Sequence, residues 1–235
     1  MNVALIIAGG SGKRMEQEIP KQFLNVNDKP VIMYTMEAFQ KHPDINGIIV
    51  SCIDGWHEIL RAYARQFHID KLKWIVPGGK TGQESIHNGI LEARKYFLET
   101  DLILVHDAIR PMVSQEIISD CIIQCKKYGS AVAAVPCNTA VLRYGEGSRD
   151  CSSEIVDRAS LAMTQTPQGF SLGKLLWAHE EAERRGITES VATCTLMTQL
   201  GETLYFSLGA ETNIKLTTQD DMRIFKALLS INGSD

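Results

Sequence analysis

The first apolar run of the chain ends in Ala8-Gly9-Gly10-Ser11-Gly12-Lys13-Arg14-Met15, and Pro20-Lys21-Gln22-Phe23 follows shortly after. Glycines at 9, 10 and 12 free the backbone to turn N–H groups inward, forming a nest suited to phosphate oxygens. Lys13, Arg14 and Lys21 add positive charge around that nest. A triphosphate calls for both features, because directed donors and cations together offset its several negative charges. Two other phosphate motifs are excluded. The pattern GxxxxGK[ST] fails because Ile7 stands in the first glycine's place and Arg14 follows the lysine. GxGxxG fails because Met15 takes the place of its last glycine. The competing reading is a glycine-rich surface turn with solvated lysines.

Further along, Val105-His106-Asp107-Ala108-Ile109-Arg110-Pro111 closes another apolar run with a carboxylate. Asp107 there either faces a ligand crevice or caps a turn. Arg110 reads equally as a salt-bridge scaffold or a substrate contact. His106 reads as a hydrogen-bonded structural residue. Gly78-Gly79-Lys80 with Ser85 a few residues on marks a tight turn and a helix start. Arg158, taken alone, reads as a solvated charge in a polar stretch, and Thr166-Pro167-Gln168 leads out of it. Asn213-Ile214-Lys215-Leu216-Thr217-Thr218 ends in a helix-start signal.

The elements that must position these residues alternate. Apolar runs occur at Asn2–Ala8, Gly47–Cys52, Lys73–Val76, Leu102–His106, Ala131–Val135 and Thr203–Ser207. Amphipathic stretches lie at Val31–Lys41, His57–Gln66, Gln83–Phe97, Ser114–Lys127, Leu172–Arg185 and Thr218–Leu229. Strand and helix in alternation predict an α/β fold: a doubly wound, mostly parallel sheet covered on both faces. Ligands of such sheets bind at the carboxyl ends of the strands. Residues 138–163 break the rhythm, being polar and poor in helix signals, and are expected to form a protruding β-arm. No linker divides residues 1–235, so a single domain is expected.

A chain of 235 residues with 44% hydrophobic and 22% charged residues is of ordinary globular composition. Its net charge of −4 argues against nucleic acid or an anionic membrane as partner, since both call for a broad positive field. The N-terminus carries no basic leader and no segment is long and apolar enough to span a bilayer, so a cytoplasmic location is expected. The six cysteines form no CxxC pair and are expected to be reduced and structural.

The combination of AGGxGxRM, PKQF, GG followed by Ser85, VHDAIRP, VDR, TPQGF and NIKLTT, in that order, resembles the CTP-dependent cytidylyltransferases that act on 2-C-methyl-D-erythritol 4-phosphate or ribitol 5-phosphate. The resemblance runs nearly end to end. It implies a nucleotide-diphospho-sugar transferase-like fold, transfer of CMP from CTP to a polyol phosphate with release of pyrophosphate, and Mg²⁺ arriving with CTP. By the same resemblance Ala8, Gly9, Gly10, Gly12 and Lys13 hold CTP, while Gly79 and Ser85 help to select cytosine. Arg14, Lys21, Arg158 and Lys215 are the implied catalytic cations, with Asp107, Arg110 and Thr166 at the substrate. It further implies a homodimer in which the arm carries Arg158 across to the neighbouring site. An acceptor phosphate is already ionised near neutral pH, with a second pKa of about 6, so no general base is required.

The pattern also departs from the family. Thr139-Ala140 stands where relatives acting on methylerythritol phosphate carry Asp-Thr, Gly82 replaces a common arginine, and the acidic step near Thr188-Glu189-Ser190 is altered. The AGG form of the first loop leans toward the ribitol phosphate branch. An inactive CTP-binding homologue, or a nucleotidyltransferase for another sugar or polyol phosphate, are the alternative readings.

Overall fold

The computed structural model describes residues 1–10 and 19–232. In chain order the strands are β1 (Asn2–Ala8), β2 (Asn25–Val26), β3 (Lys29–Pro30), β4 (Gly47–Cys52), β5 (Leu72–Pro77), β6 (Leu102–Asp107), β7 (Ser130–Pro136), β8 (Val141–Arg143), β9 (Glu154–Val156), β10 (Ala162–Ser171) and β11 (Phe206–Leu208). The helices are α1 (Val31–Lys41), α2 (His57–Gln66), α3 (Gly82–Ala93), α4 (Gln115–Tyr128), α5 (Leu172–Arg184), α6 (Thr193–Gln199) and α7 (Gln219–Asn232).

Seven strands form one sheet in the order β11-β7-β10-β6-β1-β4-β5. β1 lies inside it, parallel to both β4 and β6. Its side chains alternate: Ala4, Ile6 and Ala8 enter a core shared with α1, α2 and α4, whereas Val3 and Leu5 enter one shared with α3, α5 and α6. Burial on both faces is why β1 reads as an unbroken apolar run. Side-chain caps fix the helix starts: Thr81 accepts from Glu84 N, Ser114 from Ile117 N and Ser171 from Lys174 N. A third, smaller core joins the β2–β3 hairpin to α7 through Val26, Val31, Met222 and Phe225. Ile109 and Leu216, which flank the site, also belong to it.

β10 is the departure from the expected pattern. It runs antiparallel to both β6 and β7, and Pro167 within it disguises it as a turn in the sequence. Its pairing with β7 shifts register between Thr164 and Gln168, a bulge that re-aims the side chains between them. The edge strand β11 begins at Phe206 rather than at 203. Its outer face is blunted by Asp120, whose carboxylate accepts from Leu208 N at 2.7 Å. The expected arm contains a two-stranded hairpin, β8 with β9. Among the described residues no helix is long and apolar enough to cross a membrane. All six cysteines are free; five are buried and Cys151 is exposed.

Candidate active site

Two clusters meet at the carboxyl ends of the central strands. The first surrounds the loop after β1. Gln22 is buried, and its Nε2 donates to Ala8 O at 2.8 Å and to Gly10 O at 3.0 Å. One amide thus clasps both sides of the loop's entry. Gln22 lies in a 3-10 turn, Lys21–Phe23, anchored by Phe23, whose ring stacks on Trp56 at 4.4 Å. That anchor sets the position of Lys21.

Gly9 lies against the loop after β5. A Cβ built at Gly9 would come within 2.7 Å of Ser85 Oγ, and one at Gly78 within 2.7 Å of Gly9 Cα. Only paired glycines permit that approach. Ser85 Oγ accepts from Gly79 N at 2.9 Å and donates to Thr81 O at 2.9 Å, and Ser51 Oγ donates to Ser85 O at 2.6 Å. The hydroxyl proton of Ser85 and the amide of Gly79 are therefore turned toward the protein's own groups. Together they build a rigid floor beside Gly9.

The second cluster is charged. Asp107 ends β6 and its carboxylate receives Lys215 Nζ on Oδ1 at 3.0 Å and Arg110 Nε on Oδ2 at 3.1 Å. Burial alone would raise the Asp107 carboxyl, but the Lys215 ammonium and the Arg110 guanidinium outweigh it and hold the group below its usual range. Arg110 Nη1 also donates to Asn213 O at 2.7 Å. Thr166 Oγ1, in the bulge of β10, accepts from Asp107 N at 3.1 Å. Lys215 is presented from the stretch between β11 and α7, where Leu216 is buried and its N–H donates to Ile109 O at 2.9 Å. Asp221, in the first turn of α7, accepts from Thr217 N and Thr218 N at 2.7 Å each, fixing how the chain leaves Lys215.

His106 is wholly buried, and burial takes its pKa down to about 4 against the pull of Asp107. Its place as a hydrogen-bonded structural residue is visible in its two partners, Thr166 Oγ1 at 3.0 Å and Arg110 O at 3.2 Å.

The structure therefore brings Asp107, Arg110, Thr166 and Lys215 into one cluster, and Ala8, Gly9, Gly10, Gly79 and Ser85 into another. Gly12, Lys13 and Arg14 lie outside the described residues. Arg158 is exposed at the foot of the arm, where its Nη1 donates to Asn138 O at 3.0 Å. Sequence reasoning missed Gln22, Gln165 and Asn213 as site-building groups. Gln22 lies inside the PKQF motif and Asn213 opens NIKLTT, so motif membership was the available signal for both.

Among the described residues no three His, Cys, Asp or Glu side chains converge to cage a metal. Asp107 is the carboxylate present at the strand ends of the charged cluster. A single carboxylate suits Mg²⁺ brought in on a nucleotide, since phosphate oxygens and waters fill most of that ion's octahedron.

Residues 2–230 match the family model described as 2-C-methyl-D-erythritol 4-phosphate cytidylyltransferase. A ribitol-5-phosphate cytidylyltransferase of Lacticaseibacillus paracasei is 42% identical over 231 residues, covering 97% of this chain and 98% of that protein. A 2-C-methyl-D-erythritol 4-phosphate cytidylyltransferase of Clostridium botulinum is 32% identical over 230 residues, covering 97% of each. The crystal structure of the 2-C-methyl-D-erythritol 4-phosphate cytidylyltransferase of Thermus thermophilus superimposes with a TM-score of 0.77 at 26% identity, covering 97% of this chain and 98% of that one.

Proposed function

The chain belongs to the 2-C-methyl-D-erythritol 4-phosphate cytidylyltransferase family, and from that premise we propose that the polyol phosphate it cytidylylates is ribitol 5-phosphate. It is a CTP-dependent nucleotidyltransferase that transfers CMP to a polyol phosphate. The observation that carries the choice of acceptor is the 42% full-length identity to a ribitol-5-phosphate cytidylyltransferase against 32% to a methylerythritol phosphate enzyme. Gly9 supports it, because the AGG form of the first loop leans toward the ribitol phosphate branch and a Cβ at Gly9 would crowd Ser85 Oγ at 2.7 Å.

In this reading the acceptor phosphate attacks the α-phosphorus of CTP in line; a P–O bond forms as the bond to pyrophosphate breaks. The protein's contribution is placement and charge. Lys215, held over Asp107, meets the acceptor phosphate, and Arg158 joins it from the arm of a second subunit. Arg14 and Lys21 offset charge on the α-phosphate and the leaving group. Gly9 and Gly10 present backbone to the triphosphate, and Gly79 with Ser85 forms the floor under the base. Mg²⁺ bound with CTP would neutralise phosphate charge near Asp107.

The arm supports the dimer: Leu142, Tyr144 and Ile155 are 60%, 66% and 80% exposed on a lone hairpin, and such a hairpin is marginal without a surface to pack on. Free, mostly buried thiols and the nucleotide substrate support a cytoplasmic location.

The test is pyrophosphate release from CTP and Mg²⁺ with ribitol 5-phosphate, methylerythritol 4-phosphate, erythritol 4-phosphate and a pentose phosphate. Release that is fastest with ribitol 5-phosphate is expected. Preference for any other member overturns the acceptor assignment.

A further inference from the structure

We infer that Gln165 is a positioning residue, whose side-chain amide locks the loop carrying Lys215 onto the sheet and so sets where the acceptor's phosphate is held. The stretch from Gly209 to Thr218, between β11 and α7, has no ladder of its own to hold it. Gln165 supplies one. Its Nε2 donates to Ala210 O at 2.8 Å, and its Oε1 accepts from Ala210 N at 3.2 Å. The side chain thereby treats Ala210 as a neighbouring strand would, satisfying donor and acceptor of the same residue.

Asn213 extends the lock. It is fully buried, and its Nδ2 donates to Gln165 Oε1 at 3.1 Å and to Thr166 O at 2.9 Å. Its own carbonyl receives Arg110 Nη1 at 2.7 Å. An unbroken polar path thus runs from Gln165 through Asn213 and Arg110 to Asp107, whose other oxygen holds Lys215.

Both amide orientations are forced. Reversing Gln165 would set its NH₂ against two donors, and reversing Asn213 would set its oxygen against two acceptors. Asn213 Oδ1 is left without a partner among the described residues. A buried orphan acceptor costs stability, so the arrangement is held by what the other atoms of Asn213 accomplish. Close packing seals the loop: a Cβ at Gly209 would fall 2.6 Å from Ala134 O and 2.9 Å from Gln165 Oε1.

A cation that orients a reacting phosphate must be held to fractions of an ångström, and supporting hydrogen bonds supply that precision. The inference rests on the reading that Lys215 holds the acceptor phosphate. It is tested with Gln165→Leu and with Gly209→Ala, which wedges the same loop away from β7. Each is compared with Lys215→Ala, using whichever polyol phosphate the wild-type protein turns over.

Both loop variants are expected to raise the acceptor KM roughly tenfold, the loss of one or two buried hydrogen bonds, while the CTP KM stays within about twofold. Hydrogen exchange of the free protein is expected to accelerate across residues 209–217 and to remain unchanged in β1 and β6. Unchanged exchange in both variants overturns the lock. Faster exchange with an unmoved acceptor KM overturns the positioning role, provided Lys215→Ala itself raises that KM. If Lys215→Ala does not, the assigned role of Lys215 is what fails, and the inference falls with it.

Discussion

Thr166 Oγ1 donates to His106 Nδ1 across 3.0 Å, and the direction of that bond is dictated by its surroundings. The hydroxyl oxygen accepts from Asp107 N at 3.1 Å, and its one proton goes to Nδ1 because the neutral ring carries its own proton on the other nitrogen. The other ring nitrogen, Nε2, donates to Arg110 O at 3.2 Å. Burial keeps His106 neutral, the carbonyl of Arg110 fixes its proton on Nε2, and the ring ties the bulge of β10 to the end of β6 beside Asp107. A protonated ring would present a donor to the hydroxyl that now donates to it.

This makes folding stability depend on pH in a definite window. Burial takes His106 to about 4, and it takes His179, which also sits beside His87, to about 4 as well. The unfolded chain binds these protons near 6.5 and the folded chain resists them until about 4. Stability is therefore lost as pH falls from about 6.5, each ring contributing on the order of 3 kcal/mol once pH is below about 4. Asp107 behaves oppositely in origin: its depressed carboxyl stabilises the fold above its unfolded value of 3.8 and matters only at lower pH. Urea unfolding between pH 7.5 and 4.5 is expected to show a steady fall in midpoint, shallower in His179→Gln. A flat midpoint across that range contradicts it.

The sequence made some parts of this molecule legible and not others, for physical reasons. β1, β4, α1 and α2 fall within their expected bounds, because buried parallel strands and amphipathic helices each write a strong period. β10 stayed hidden because Pro167 and a run of polar residues, Thr164 to Gln168, interrupt it, and its burial comes from distant neighbours. α6 is seven residues long, too short for a helical period to stand out. Asp107 and Lys215 were identifiable as charges at strand and helix boundaries, yet their contact spans 108 residues. Gln165 shows the limit most plainly, since an amide that mimics a strand is indistinguishable in sequence from one facing water.

Gln22 offers a sharper view of the nucleotide loop. Its single NH₂ group serves both Ala8 O and Gly10 O, so one amide sets the angle at which the glycine-rich loop leaves β1. Gln22→Leu keeps the bulk and removes both bonds. The CTP KM is expected to rise by roughly tenfold, in line with two carbonyls, that of Ala8 buried, losing a donor, with the acceptor KM nearly unmoved. Isothermal titration with CTP measures the same loss without turnover. Equal affinities in variant and wild type would show that the loop holds its shape unaided.

Gly9 tests whether close packing, rather than backbone freedom, is the reason for glycine there. Among the described residues nothing lies within 4 Å of a Cβ built at its neighbour Gly10, whereas one at Gly9 meets Ser85 Oγ at 2.7 Å. Gly9→Ala is expected to weaken CTP binding several-fold, overpacking of this kind costing typically about 1–3 kcal/mol. Gly10→Ala is expected to do less through packing. Removing the obstructing oxygen as well, in Gly9→Ala/Ser85→Ala, is expected to cost less than the two single changes summed. Strict additivity in a double-mutant cycle would mean that the two residues are not in contact in the working enzyme.

Arg158 decides how many subunits make one site. It is exposed and tied to Asn138 O at 3.0 Å, at the foot of a hairpin whose apolar side chains face outward. If the arm crosses to a second subunit, each site combines one subunit's Lys215 with Arg158 of the other. Arg158→Ala and Lys215→Ala are then each nearly inactive alone, losing roughly 10²–10³ in turnover. Unfolded together in equal amounts and refolded, they are expected to recover about a quarter of wild-type activity. Half the dimers formed at random are mixed, and each mixed dimer carries one intact site of its two. A site built within a single chain gives no recovery, because every chain in the mixture carries one of the two lesions. Recovery that follows the product of the two variants' fractions establishes the exchange, and its absence returns Arg158 to the role of a solvated charge.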